Sequence, residues 1–229
     1  MVTNIHRVRI WDLPTRLFHI ALIVCAVGSV ATVKAGTLWM DWHLRFGLAT
    51  AALITFRIIW GLIGTRYARF GQFVKGPAAV KAYLRGSYAG GPGHNPLGAW
   101  SVIALLLMFG FQAFSGLFTT DDILTSGPLA HLNSGWSATF TGLHKQAEWL
   151  LYGLVAAHVV AVLFYQFGRR RNIIGPMLHG DIVHRGGAIP DSAEDTIAKR
   201  LLALLIITAL GFAAWWISNI GAGIELNFM

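Results

Sequence analysis

Five stretches of this chain run for about twenty residues almost without charge, the length an α-helix needs to cross a bilayer. They cover residues 17–33, 43–63, 97–118, 142–167 and 201–220, and polar segments separate them. Helix-start signals precede three: Asp12 with Pro14, Asn95 with Pro96, and Thr139 with Thr141. The pattern predicts an all-α integral membrane protein with five crossings. Between the second and third, residues 66–94 are rich in Gly and Pro, but GPAAVKAYLRG predicts a short surface helix with its basic residues toward lipid headgroups. Residues 175–195 read as a mobile polar loop.

Composition agrees with the pattern. Of 229 residues, 55% are hydrophobic and 12% charged, too apolar for an ordinary soluble domain. Mean hydropathy is +0.58. The net charge of +8 does not imply nucleic acid, because the basic residues sit beside the spans, where they set orientation and meet headgroups. They also assign sides. Arg7, Arg9 and Arg16 precede span one; Arg66, Arg69, Lys75, Lys81 and Arg85 lie between spans two and three with no acid among them. Arg169, Arg170 and Arg171 follow span four, and Lys199 and Arg200 precede span five. The other loops hold Lys34 with Asp41, then Asp121 and Asp122 with no Lys or Arg before Lys145. The amino terminus is expected in the cytoplasm and the carboxyl terminus outside, which in a bacterium is the periplasm. The first span could be mistaken for a secretory leader, but it carries His19 and no clear small-residue cleavage site follows, so it reads as retained. The single cysteine, Cys25, excludes an iron–sulfur cluster, a C-x-x-C-H heme attachment and an intrachain disulfide, and reads as a packing residue.

Candidate chemistry lies in four histidines. His19, His43, His144 and His158 stand inside or at the mouths of the spans, where an ionisable side chain is costly and marks function. His144 and His158 are 14 residues apart on one predicted helix, about 21 Å along its axis and nearly on one face. That spacing suits two stacked metal centres. Depth allows only His43 with His144 on the outer side and His19 with His158 on the inner. Imidazole suits heme iron, and two axial histidines close it to exogenous ligands while letting it pass electrons. Heme propionates need cations: Arg45 and Lys145 stand near the outer pair, Arg16 near the inner. Arg57, 14 residues after His43, reaches the inner depth, where a buried guanidinium needs a carboxylate.

Blander readings compete. A lone intramembrane histidine is often a hydrogen-bonded packing residue, but four at two matched depths with Arg57 level with one pair weigh against that. Trp11, Trp39, Trp42, Trp60, Trp136 and Trp149 read as interface belt and packing. Gly47, Gly61, Gly64, Gly110, Gly116 and Gly153 read partly as helix contacts and partly as room for a flat macrocycle. His6, His131, His179 and His184 read as surface residues, His94 as a capping residue, and Met40 and Met108 as unneeded ligands.

With these residues in view, RVRIWDLPTRLFH, WHLRFG with RIIWGLIGTRYARF, GHNPLGAWS and LHKQAEWLLYGLVAAHVVAV resemble the bacterial cytochrome b-561 family, more narrowly the branch described as the b-type cytochrome subunit of nickel–iron hydrogenases. The resemblance covers about residues 7–180. It implies a four-helix bundle over residues 1–180 holding two non-covalent b hemes in the bacterial inner membrane, with residues 181–229 adding a cytoplasmic loop and a fifth helix. Its ligands carry over onto His19, His43, His144 and His158. It further implies electron exchange between the quinone pool and a periplasmic partner, a c-type cytochrome or a hydrogenase. A quinone site is expected beside one heme, near Arg16 and His94 inside or Asp41 and Arg45 outside. The fifth helix, with Trp215 and Trp216, suits a homodimer interface or a partner helix, and the tail GAGIELNFM a periplasmic contact. Two other classes share parts of this pattern: a quinol-dependent membrane reductase of a small acceptor such as superoxide or ferric iron, and a cofactor-free transporter or scaffold subunit.

Overall fold

A computed structural model of the chain describes residues 5–88, 90–121, 125–185 and 189–225; Asp122 and the last four residues of the tail GAGIELNFM lie outside them. Five long helices dominate: α1 Leu13–Ala35, α2 Met40–Ile63, α5 Pro96–Gly116, α6 Ser134–Leu163 and α8 Ile197–Glu225. Each is long and apolar enough to cross a membrane. Three short helices connect them: α3 Phe70–Phe73, α4 Pro77–Leu84 and α7 Ile174–His179. α4 is the surface helix expected from GPAAVKAYLRG.

Local chemistry fixes the helix ends. Asp12 caps α1 by accepting the Thr15 amide at 2.7 Å, and Asn95 caps α5 by accepting that of Gly98 at 2.7 Å. The cap before α5 is therefore Asn95 rather than His94, whose ring packs between Trp11 and Phe73 at centroid distances of 4.7 and 4.6 Å. α6 begins eight residues before the apolar run, at Ser134, because Asn133 caps it by accepting the Trp136 amide at 3.0 Å. At its other end the helix widens into a π-turn over Phe164–Gly168.

The expected loop 175–195 is ordered structure over its described residues. After α7, β2 Asp181–Arg185 pairs antiparallel with β1 Ile5–Arg9, in a register joining Ile5 to Arg185 and Arg9 to Asp181. Gly180, at φ 94°, makes the turn between α7 and β2; a Cβ there would meet the Trp11 carbonyl oxygen at 2.7 Å, so only glycine fits. That oxygen's neighbourhood is tight because the Ile10 and Trp11 amides both donate to the Gly180 carbonyl.

The chain divides into two compact units. One comprises Met1–Phe18, Arg57–Ala104 and Val155–Leu204, the other His19–Phe56, Leu105–Leu154 and Leu205–Met229. The first contains the small sheet and a core of Val8, Ile10 and Trp11 with Tyr67, Met177 and Ile182 against it. Asp195, its side chain only 4% exposed, accepts from Arg200, from Arg9 and from the Leu13 amide. Arg9 also pairs with Asp181, and Arg66 with Asp191. Burial alone would raise the Asp195 carboxyl; the Arg200 and Leu13 hydrogen bonds and the charges of Arg200 and Arg9 outweigh it and hold the group below the usual carboxylate range. Asp12 is the buried hub of this unit, accepting from Thr65 and from the Trp60 indole at 3.3 Å. Trp60 and Trp11 are accordingly core residues rather than interface belt, whereas Trp39, Trp42, Trp136 and Trp149 are exposed. The second unit takes most of α1, α2 and α8 with parts of α5 and α6, and Cys25 is buried in it.

Candidate functional site

In the second unit, His43 enters on the first turn of α2 and His144 on the third turn of α6. Their rings stand 6.3 Å apart between centroids, with planes at 89°. Each ring is held by its Nδ1. That of His43 lies 2.9 Å from the Ser29 carbonyl oxygen of α1, which can only accept, so Nδ1 carries the proton. That of His144 lies 3.0 Å from Ser115 Oγ, whose own hydrogen goes to the Gln112 carbonyl at 3.1 Å. With that hydrogen committed, Ser115 accepts and His144 Nδ1 donates. Both rings are thereby fixed in the tautomer that leaves Nε2 with a bare lone pair.

α5 braces the His144 side closely. The Gln112 amide donates to the His144 carbonyl at 3.1 Å, and Ser115 is fully buried. A Cβ on Gly116 would stand 3.1 Å from His144 Cε1, so the helix backbone lies against the ring. Gly116 was among the glycines singled out from the sequence, but Gln112 and Ser115 were not. The signal was present: Gln112 and Ser115 are polar residues three apart in an otherwise apolar run, hence on one helix face.

The pair can be tested against a heme. Two imidazoles bound on opposite sides of one first-row metal at about 2.0–2.1 Å, each ring centre about 1.1 Å behind its nitrogen, put their centroids roughly 6.3 Å apart. The observed separation equals that value. Locking Nδ1 by a carbonyl or hydroxyl is also the usual outer support of a metal-bound histidine. At Gly47, one turn beyond His43, an added Cβ would meet nothing within 4 Å, which leaves room beside the helix for a flat ring. Among the described residues no three His, Cys, Asp or Glu side chains gather as a metal site. The residues fit a heme.

The remaining candidates are distributed as follows. Arg45 and Lys145, proposed from sequence near the outer pair, are exposed, and the Arg45 guanidinium lies 5.1 Å over the Trp42 ring. Lys34 pairs with Glu148 at 3.3 Å, and Tyr152 donates to the same carboxylate at 2.5 Å. His19 is half-buried on α1 in the second unit, and His158 half-buried on α6 in the first. Arg57, in the first unit, is 3% exposed, with its guanidinium over Phe70 at 4.9 Å and Phe73 at 5.9 Å. Its Nη1 has no hydrogen-bond partner among the described residues. Arg16, in the same unit, donates Nη1 to the Leu178 carbonyl at 2.5 Å, while its buried Nε has no partner among the described residues. A buried guanidinium nitrogen without an acceptor is costly, and a carboxylate from a bound group would answer that cost in both residues.

Searches among curated proteins and among solved structures return no match. The sequence profile described as prokaryotic cytochrome b561 matches residues 10–180, from the end of β1 through α6 to the turn after α7. With five apolar helices and a match over about three-quarters of its length, the chain belongs to the prokaryotic cytochrome b561 family, the membrane b-type cytochromes of electron transfer.

Proposed function

We propose that the chain is a di-heme cytochrome b of the bacterial inner membrane that carries electrons between the quinone pool and a periplasmic redox protein, a c-type cytochrome or a hydrogenase. The observation that carries this reading is the His43–His144 pair, 6.3 Å apart with both Nδ1 atoms committed to protein oxygens. A heme bound there supplies a one-electron carrier closed to other ligands. The chain's own residues do the rest. His43 and His144 offer Nε2 lone pairs from α2 and α6, and Ser29 and Ser115 hold the rings in the required tautomer. Arg45 and Lys145 are the cations at this end, exposed enough to meet a carboxylate at the membrane surface.

The inner site is assigned to His19 and His158. Arg57 Nη1 and Arg16 Nε are the buried donors that match its carboxylates. The Arg57 guanidinium is buried over the Phe70 and Phe73 rings, which would help to hold it for a carboxylate. Two such sites would let an electron cross in steps, with the direction set by the partners' potentials. Quinone is assigned to the edge of one site, beside Arg16 and His94 or beside Asp41 and Arg45.

Purified protein tests the reading. Two hemes per chain are expected, with a split α-band; His43→Ala should leave one heme and a single band component. A colourless protein, a heme-to-chain ratio of one, or loss of both hemes in the variant would each refute it. The partner follows from which redox protein co-purifies from native membranes.

A further inference from the structure

Among the clefts outside the candidate site, one is lined mainly by apolar side chains. It belongs to the first unit, between α4 and the first turns of α5, and encloses about 570 Å³, within the range of small-molecule sites. Pro77, Val80, Lys81 and Leu84 line it from α4 at spacings of three and four, so a single helix face looks into it. Leu97 and Trp100, three apart on α5, form the opposite wall. The wall is largely apolar, yet Leu84, Leu97 and Trp100 remain 69%, 47% and 44% exposed. The Trp100 indole donates to the Lys75 carbonyl at 3.0 Å, which restrains the ring at the cleft wall.

The rim has one sign of charge. Lys81 and Arg85 are four apart on α4, both exposed, and neither pairs with a carboxylate among the described residues. Tyr83, next to Lys81, meets the Tyr165 hydroxyl of the π-turn at 2.5 Å and so ties α4 to the end of α6. Arg171 and Arg169, just beyond that turn, act on the Tyr83 phenol by their charge and extend the cationic field. No acidic residue occurs between Asp41 and Asp121, so nothing in this part of the sequence neutralises it. An apolar slot with unpaired cations at its mouth, next to the start of a membrane span, matches a lipid tail joined to an anionic head. A neutral quinone head would leave both cations unanswered.

We propose that this cleft holds one anionic phospholipid, its phosphate on Lys81 and Arg85 and an acyl chain against Leu84, Leu97 and Trp100. The lipid anchors α4 to the membrane surface, and the assignment stands independently of the electron-transfer reading.

Native mass spectrometry of the full chain, released from nanodiscs of phosphatidylcholine doped with phosphatidylglycerol, tests it. One phosphatidylglycerol should be retained per chain in preference to phosphatidylcholine. Lys81→Gln with Arg85→Gln should lower that preference about thirtyfold, the weight of two cations at a membrane surface. Arg7→Gln with Arg69→Gln, two exposed cations outside the cleft, should change it little. Unfolding temperature serves as the folding control, and the substituted side chains are exposed. Equal retention of the two lipids, an unchanged preference in the Lys81 and Arg85 variant, or an equal fall in the Arg7 and Arg69 variant overturns the proposal. Displacement by millimolar inorganic phosphate also overturns it, because that marks a free-phosphate site.

Discussion

Ser115 is the residue on which the two ends of the histidine pair differ. His43 donates to a backbone carbonyl, whereas His144 donates to a hydroxyl that is itself a donor to the Gln112 carbonyl. A hydrogen bond from Nδ1–H makes the ring a stronger electron donor and favours the oxidised metal. Ser115→Ala removes it without adding bulk. The midpoint potential of one heme should rise by about 40 mV, the equivalent of about 1 kcal/mol for a one-electron couple, and the other should stay put. A potentiometric titration resolving the two α-band components checks this; equal shifts in both, or in neither, would remove Ser115 from the site. The proximity of His43 and His144 was legible in the sequence because a titratable group in an apolar run stands out by itself. Ser115 and Gln112 were not, because serine and glutamine in a membrane helix commonly satisfy themselves locally, and only the approach of α5 to α6 reveals their partner.

The same division between local and non-local information holds for the elements. Each long helix was visible as an apolar run, since length and hydropathy are properties of a window. The start of α6 was placed eight residues late because residues 134–141 mix Ser, Thr and Gly with apolar residues yet are helical, which their Asn133 cap decides rather than their hydropathy. β1 and β2 were missed entirely: five-residue strands of mixed polarity, paired across more than 170 residues, carry no sign within either window. Their stability rests partly on Asp195, which gathers Arg9, Arg200 and the Leu13 amide at the junction of β1, α1 and α8. A carboxylate held below its ordinary value stabilises the fold above the unfolded value of about 3.9, and that contribution is lost as pH falls through the native value. Hydrogen-exchange protection of the β1 and β2 amides should therefore hold from pH 7 to about 5 and decline below about 4. Asp195→Asn should weaken protection at neutral pH by about 1 kcal/mol and flatten the acid limb. Wild-type protection that persists to pH 3 would show that other contacts hold the sheet.

For the whole molecule, the number of crossings and the placement of charge bear on one question, which way the chain lies in the membrane. If all five candidate helices among the described residues cross, the two ends are expected on opposite sides. The basic loops then fall together: Arg7 and Arg9, the segment from Arg66 to Arg85, Arg169 to Arg171, and Lys199 with Arg200 lie at one level of the topology. Pairing modifies this tally without reversing it. Arg9 and Arg200 are partly neutralised by Asp181 and Asp195, and Arg66 by Asp191, but Lys75, Lys81, Arg85 and the Arg169–Arg171 run have no ion pair among the described residues. The cationic side is expected in the cytoplasm, because moving positive loops outward would work against the membrane potential and an anionic inner leaflet. The lone native cysteine makes this measurable, since Cys25 is buried within α1 and gives little background. Ser87→Cys, in the loop after α4, and Leu132→Cys, in the loop before α6, are each exposed in the wild-type residue. In intact spheroplasts a membrane-impermeant maleimide should label Leu132→Cys and spare Ser87→Cys, and permeabilisation should make both reactive. The opposite pattern would invert the protein, place the His43–His144 pair on the cytoplasmic side, and take the periplasmic partner away from it.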